Sequence, residues 1–406
     1  MKENDMYYTF IKCAKRFISD IDEEELDWQL RTHQCYFDDS GPCCSDATLL
    51  EVFREATFNK VDESELYAVI EKICMCYCNE IESARSLTSI IIPEGTTAIE
   101  PYAFRGFAAL ASITIPKSVT EIGHQAFRDC TSLTSIVIPD SVTSIGNGAF
   151  ASCSSLESVT IPDSVTSIGD YAFYDCYSLT SITVSENNPS YKDVDGNFYD
   201  KDGKTLIQYA IGKTDASFVI PDGVETIRTK AFYKCYSLTN IQIPDSVKRI
   251  EEKAFFRCDK INELKLPQSL EFIGKDAFSY CYGITEINIP ANIKQIDEYA
   301  FYNCSALKSV TVEEGVERIC TGAFYNCQIL ESITLPDSVT SLGDAAFSRC
   351  SRLKSITLPD CVTSLGDYAF SDCSSLKSIT IPESVTSIGD FAFYYCSSLT
   401  SITIPD

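Results

Sequence analysis

The chain has one tryptophan, two histidines and three methionines in 406 residues. His33 and His124 stand about 90 residues apart, so the sequence holds no His pair at a metal-binding motif spacing. Gly-rich phosphate loops and nucleophile elbows are missing as well. Positive charge is scarce, with 33 Lys and Arg against 58 Asp and Glu, for a net charge of −25. That balance argues against nucleic acid and against an anionic membrane surface, both of which are met by clustered cations. No apolar run approaches the length of a membrane-spanning helix. The first residues, Met1-Lys2-Glu3-Asn4-Asp5, carry acids where a secretory leader has positive charge, and no apolar core follows them.

What is present is a period. An Ala-Phe pair recurs every 23 residues, at Phe104, Phe127, Phe150 and Phe173, and again from Phe232 through Phe255, Phe278, Phe301, Phe324, Phe347 and Phe370 to Phe393. One 59-residue gap separates the two groups. A fixed period of this size is the signature of a solenoid, whose units bury their apolar faces only against one another. In the unit beginning at Leu376, Ile379 and Ile381 alternate with Thr380 as in a strand with one buried face. Pro382 ends that strand, because it has no N–H to give the next coil. Val385 and Ile388 lie on a second stretch, Gly389 marks a tight turn, and Asp390 is placed to cap a short helical turn holding Ala392, Phe393 and Cys396. Stacked strands make a parallel sheet. Bulkier turns opposite would curve the stack and set the sheet on its concave face.

Eleven of the 20 cysteines fall three residues after the repeated Phe, from Cys130 to Cys396. One residue type in one repeat position reads as a packing column of buried free thiols. Residues 1–84 lack the period and carry helical patterning around Tyr8–Ile18, Glu23–His33, Leu49–Phe53 and Leu66–Cys74. The expected organisation is therefore an all-α N-terminal segment, 1–84, that caps a solenoid of residues 85–406. The gap holds an insert at about 185–217, whose Asp195-Gly196 and Asp202-Gly203 turns predict a β-hairpin projecting from the stack. The chain stops in mid-repeat at Asp406, so either a longer array or self-association through an uncapped C-terminal edge is expected.

The frame Leu-x-Ser-Ile-x-Ile-Pro-Asp-Ser-Val-Thr-Ser-Ile-Gly-Asp-x-Ala-Phe-x-x-Cys closely resembles the BspA-like class of leucine-rich repeats over residues 87–406. Departures are Phe107 in place of Cys, Glu251, Asp297 and Cys320 in place of Gly, and Ser185 and Glu313 in place of Pro. The resemblance implies a right-handed, curved leucine-rich-repeat solenoid. It also implies a non-catalytic, adhesin-like protein at the cell surface or secreted, binding host or cell-surface proteins. The alternative is an intracellular protein-protein interaction scaffold, which the thiols and the absence of a leader favour.

Candidate sites follow from where the period varies. The strand positions facing out are mostly Ser and Thr, but the coils at 238–288 carry Asn240, Gln242, Glu263, Lys265, Glu286 and Asn288. These six are the expected binding surface for a protein partner. Tyr191, Tyr199 and Tyr209 of the insert form a second candidate, as exposed tyrosines suit interfaces. No catalytic residue, metal or cofactor is expected from the repeats. Cys35, Cys43, Cys44, Cys74, Cys76, Cys78 and His33 could converge, although Cys-x-Cys-x-Cys is not a standard zinc spacing. Asp193, Asp195 and Asn197 read as a turn rather than a calcium loop, since Phe198 follows them. Asn303-Cys304-Ser305 is a formal glycosylation sequon whose Cys lies in the packing column.

Overall fold

A computed structural model describes residues 85–404, together with the backbone pairing of Phe37–Asp38 with Gly41–Pro42. The four expected helices of residues 1–84 and the cysteine cluster there lie outside the described residues. The chain divides into two compact units, Met1–Cys176 and Tyr177–Asp406.

In the first unit each coil contributes two short strands. The first-strand series is Ser89–Ile91, Ser112–Thr114, Ser135–Ile136 and Ser158–Ile161. The second-strand series pairs in parallel with a register of one repeat, Ile99 beside Ile122, Ile145 and Ile168. The alternation expected from Ile-Thr-Ile is observed. In Ser158–Ile161, Val159 and Ile161 are buried and Thr160 between them is exposed. Opposite the strands, Phe104, Phe127, Phe150 and Phe173 stack with centroids 5.3–5.6 Å apart and planes within 11° of parallel. Offset or face-wise contact at this spacing adds to the burial of each ring.

The second unit repeats this plan. Phe232 to Phe393 form a continuous stack at 4.8–5.6 Å. The segment expected as a short helical turn is a run of tight turns instead, with Tyr394 N donating to Phe391 O and Cys396 N to Phe393 O. A 23-residue coil leaves too few residues there for an α-helix, and the backbone donors bond across to the next coil. Phe370 N, for example, donates to Ala392 O at 2.8 Å.

The insert departs from expectation. Tyr191–Val194 and Asn197–Asp200 pair antiparallel around Asp195-Gly196, both with positive φ (50° and 71°), the two-residue turn whose twist matches a hairpin. Asn197–Asp200 then pairs antiparallel with Thr205–Gln208. That third strand does not project. It pairs in parallel with Thr226–Ile227, Leu206 beside Ile227, so the insert becomes the first member of the second-strand series. Tyr209 lies 23 residues before Phe232 and takes the phenylalanine position. Its ring stacks on Phe232 at 5.0 Å, and its N–H donates to Ala231 O.

Candidate functional site

The six variable strand residues come together in part. Asn240–Gln242 pairs in parallel with Ser217–Val219 on one side and with Glu263–Leu264 on the other, Asn240 beside Glu263. Because side chains alternate across a strand, Gln242, Glu263 and Lys265 face out with their backbones fixed by buried Ile241 and Leu264. Glu286 and Asn288 are likewise exposed, flanking buried Ile287. They belong to a separate sheet, however, formed by Glu286–Ile289, Ser309–Val312 and Ser332–Thr334. At the break lies a groove of about 380 Å³ lined by Leu264, Lys265, Leu266, Glu286, Ile287, Asn288, Ser309 and Thr311.

Beside the groove is a polar cluster built on one of the departures from the repeat frame. Glu313, standing where the frame has Pro, accepts hydrogen bonds from Gln268 Nε2 at 3.0 Å, from Asn288 Nδ2 and from Ala291 N. These donors hold its carboxyl below the usual carboxylate value, Asn288 contributing most. Asn292 Nδ2 donates to Gln268 O at 2.9 Å. The signal available in the sequence was the loss of Pro at 313, which frees the slot for a side chain that reaches two coils back.

The insert tyrosines are not the exposed surface expected of them. Tyr199 and Tyr209 are buried, and Tyr191 is half-buried against Phe198 at 5.0 Å. Two of the three fill the core because the insert completes the stack rather than leaving it. The phenolic oxygens of Tyr199 and Tyr209 have no hydrogen-bond partner among the described residues, and burial pushes both phenols up from their ordinary pKa.

The other candidates resolve simply. Asp193 Oδ1 accepts from Val184 N and the buried Asn197 Oδ1 from Ala210 N, so these side chains satisfy backbone donors of the insert. His124 packs edge-on against Tyr102 at 5.1 Å. Asn303 donates to Tyr282 Oη and bonds Asn326, within a half-buried turn. The cysteine column is a set of free, mostly buried thiols. Apart from Cys235, which meets Ser237 Oγ, these thiols donate to the carbonyl oxygen of the phenylalanine of the preceding coil, as Cys304 does to Phe278 O at 3.2 Å. Burial pushes Cys130 and Cys304 up to about 12. A second groove of about 560 Å³ runs along the turns after the second strands and includes Asp297, Asp344 and Asp367. Two of those carboxylates cap the next coil. Asp344 Oδ1 accepts from Asp367 N, and Asp367 Oδ1 from Asp390 N. No group of metal-ligating side chains occurs among the described residues, nor any helix long and apolar enough to cross a membrane.

Stacked parallel strands, an internal phenylalanine column and a 23-residue register define a leucine-rich-repeat solenoid. The chain belongs to the BspA type leucine rich repeat family, whose model matches residues 70–194, 213–331 and 295–406. It is similar in structure to a leucine-rich repeat protein from Eubacterium ventriosum, at 26% identity and a TM-score of 0.65, covering 71% of this chain and 84% of that one. A leucine-rich repeat protein from Bacteroides ovatus is 31% identical with a TM-score of 0.51, covering 79% of each chain. The pneumococcal vaccine antigen PcpA shares the fold at 22% identity and a TM-score of 0.52, covering 79% of each chain. No curated protein matches the chain significantly.

Proposed function

We propose that this protein is a non-catalytic, adhesin-like binding solenoid that meets a protein partner at the cell surface or in secreted form. The carrying observation is the strand face of the second unit. A Ser- and Thr-dominated surface is interrupted in register by Asn240, Gln242, Glu263, Lys265, Glu286 and Asn288, beside a groove. Such a face offers fixed, exposed charges and amides on a rigid sheet, which gives specificity without a deep pocket. Membership of a repeat family that is generally non-catalytic supports the absence of an enzyme activity. Surface placement is supported by the family resemblance. The many thiols do not oppose it, since the buried column is withheld from oxidants. The repeat block 85–406 is the binding part in this proposal, and the role of 1–84 as its cap is part of the same proposal.

Labelling intact cells with a membrane-impermeant reagent tests the placement, and labelling no greater than that of a cytosolic control would move the protein to an intracellular scaffold. For the face, exchanging charges with Glu263→Lys and Lys265→Glu is expected to leave folding intact and weaken capture of the native partner.

A further inference from the structure

The second strands of the second unit form a ladder in which each coil's amides bond the carbonyls of the coil before. Glu271 N donates to Lys248 O and Gly274 N to Ile250 O. Beyond them Glu317 N donates to Lys294 O and Cys320 N to Ile296 O. Between these pairs the pattern stops. Thr285, Lys294 and Asp297 make no such bond to Asn262, Glu271 and Ile273. The first-strand series is also divided there, Glu263–Leu264 ending one sheet and Glu286–Ile289 opening the next. Other gaps in the first-strand series leave the second strands paired. Among the described residues of this unit, this is the single junction at which both series part.

The opposite side of the same junction is intact. Asp276 N donates to Glu298 O, Phe278 N to Ala300 O and Tyr280 N to Tyr302 O at 2.7–3.0 Å, and Phe278 stacks on Phe301 at 5.3 Å. The break coincides with a change in the turn slot that holds glycine in half of this unit's coils. A Cβ placed on Gly274 or Gly343 would lie 2.7 Å from a backbone nitrogen of the preceding coil, closer than real Cβ atoms come. The residues of this slot run Arg228, Glu251, Gly274, Asp297, Cys320, Gly343, Gly366 and Gly389. Asp297 is the one side-chain-bearing residue that follows a glycine coil, and it sits at the break.

Side chains bridge what the backbone does not. Gln268, in the coil before the break, is bonded by Asn292 from the coil after it and by Glu313 from the coil beyond, with Asn288 on the same carboxylate. The groove of about 380 Å³ opens beside this strap.

We infer that this junction is a latched hinge. The strand side opens and closes about the intact phenylalanine side, Gln268, Asn292 and Glu313 hold it closed, and the opening sets the width of the groove lined by Lys265, Glu286 and Asn288. The hinge stands on backbone pairing and does not depend on the binding role proposed above.

Native-state hydrogen exchange on the full chain tests it. The amides of Thr285, Lys294 and Asp297, corrected for intrinsic rates, are expected to exchange at least about tenfold faster than their counterparts Lys308, Glu317 and Cys320 in the next coil. Rates within about threefold of each other would overturn the hinge. In Glu313→Ala, loss of two or three bonds should speed exchange at those three amides a further ~5- to 30-fold while Thr363 and Gly366 stay unchanged. No change, or an equal rise at all sites, would overturn the latch. Asp297→Gly should bring the amides at 294 and 297 to the protection of the neighbouring coils. Unchanged exchange there would reject the Cβ as the cause of the break.

Discussion

Replacing Phe301 by alanine tests the packing logic of the whole array. The ring is fully buried and lies between Phe278, at 5.3 Å and 8° from parallel, and Phe324, at 5.5 Å and 6°. Phe buries on the order of 150–250 Å², and at about 25 cal/mol per Å² most of that area is lost with the phenyl group. Two aromatic contacts are lost with it, each about 0.5–1.5 kcal/mol beyond area. Partial collapse of the site returns some of this, so the expected cost is about 3–5 kcal/mol, the range for large-to-small core changes at aromatic positions. Because each coil's core packs mainly against its immediate neighbours, the loss should also uncouple the coils on either side and broaden the unfolding transition. Denaturant unfolding followed by circular dichroism gives both quantities. Phe301→Leu, which keeps an apolar branched chain in the site, should cost about half as much or less. A loss below about 1 kcal/mol in Phe301→Ala would refute the claim that this column carries the core.

Tyr209→Phe removes a buried hydroxyl that has no partner among the described residues, so it is expected to be neutral or to stabilise by up to about 1 kcal/mol, read as a shift in midpoint. The Glu313 carboxyl is held below its unfolded value by the groups that bond its charged form. Its contribution is therefore present above the ordinary carboxylate pKa and is lost as pH falls through the lowered folded value. Stability measured on the acid side should show a smaller pH dependence in Glu313→Gln, and an unchanged profile would count against the bonds seen. Alkylation of the folded protein followed by peptide mapping should modify the exposed Cys361 well before Cys304 or Cys327, which are buried. Equal modification would show that the column is open to solvent.

The strand and core positions were readable because every coil repeats one solution. Ile379 and Ile381 were expected inward and Thr380 outward, and they are so placed. The thiol column was readable for the same reason, since an unvarying small residue beside Phe has to fit one recurring space. What escaped was the insert and the break. Tyr209 stands at the right distance from Phe232, yet Gln208-Tyr209 does not look like Ala-Phe, and the hairpin turns beside it suggested a projection. Glu313 and Asp297 stood out only as departures from the frame, because the consequence of losing Pro or Gly depends on what the adjoining coils place nearby.

The sequence by itself determined the period, the register, the inward and outward faces and the absence of a catalytic or phosphate-binding motif. These are local properties repeated until they become global, since a unit that cannot bury its apolar face alone must stack. Only the tertiary structure decided that the insert closes the core with Tyr199 and Tyr209, and that Gln268, Asn292 and Glu313 bridge a parted ladder. Those outcomes rest on contacts between residues 24 and 45 positions apart, which no single repeat read by itself contains.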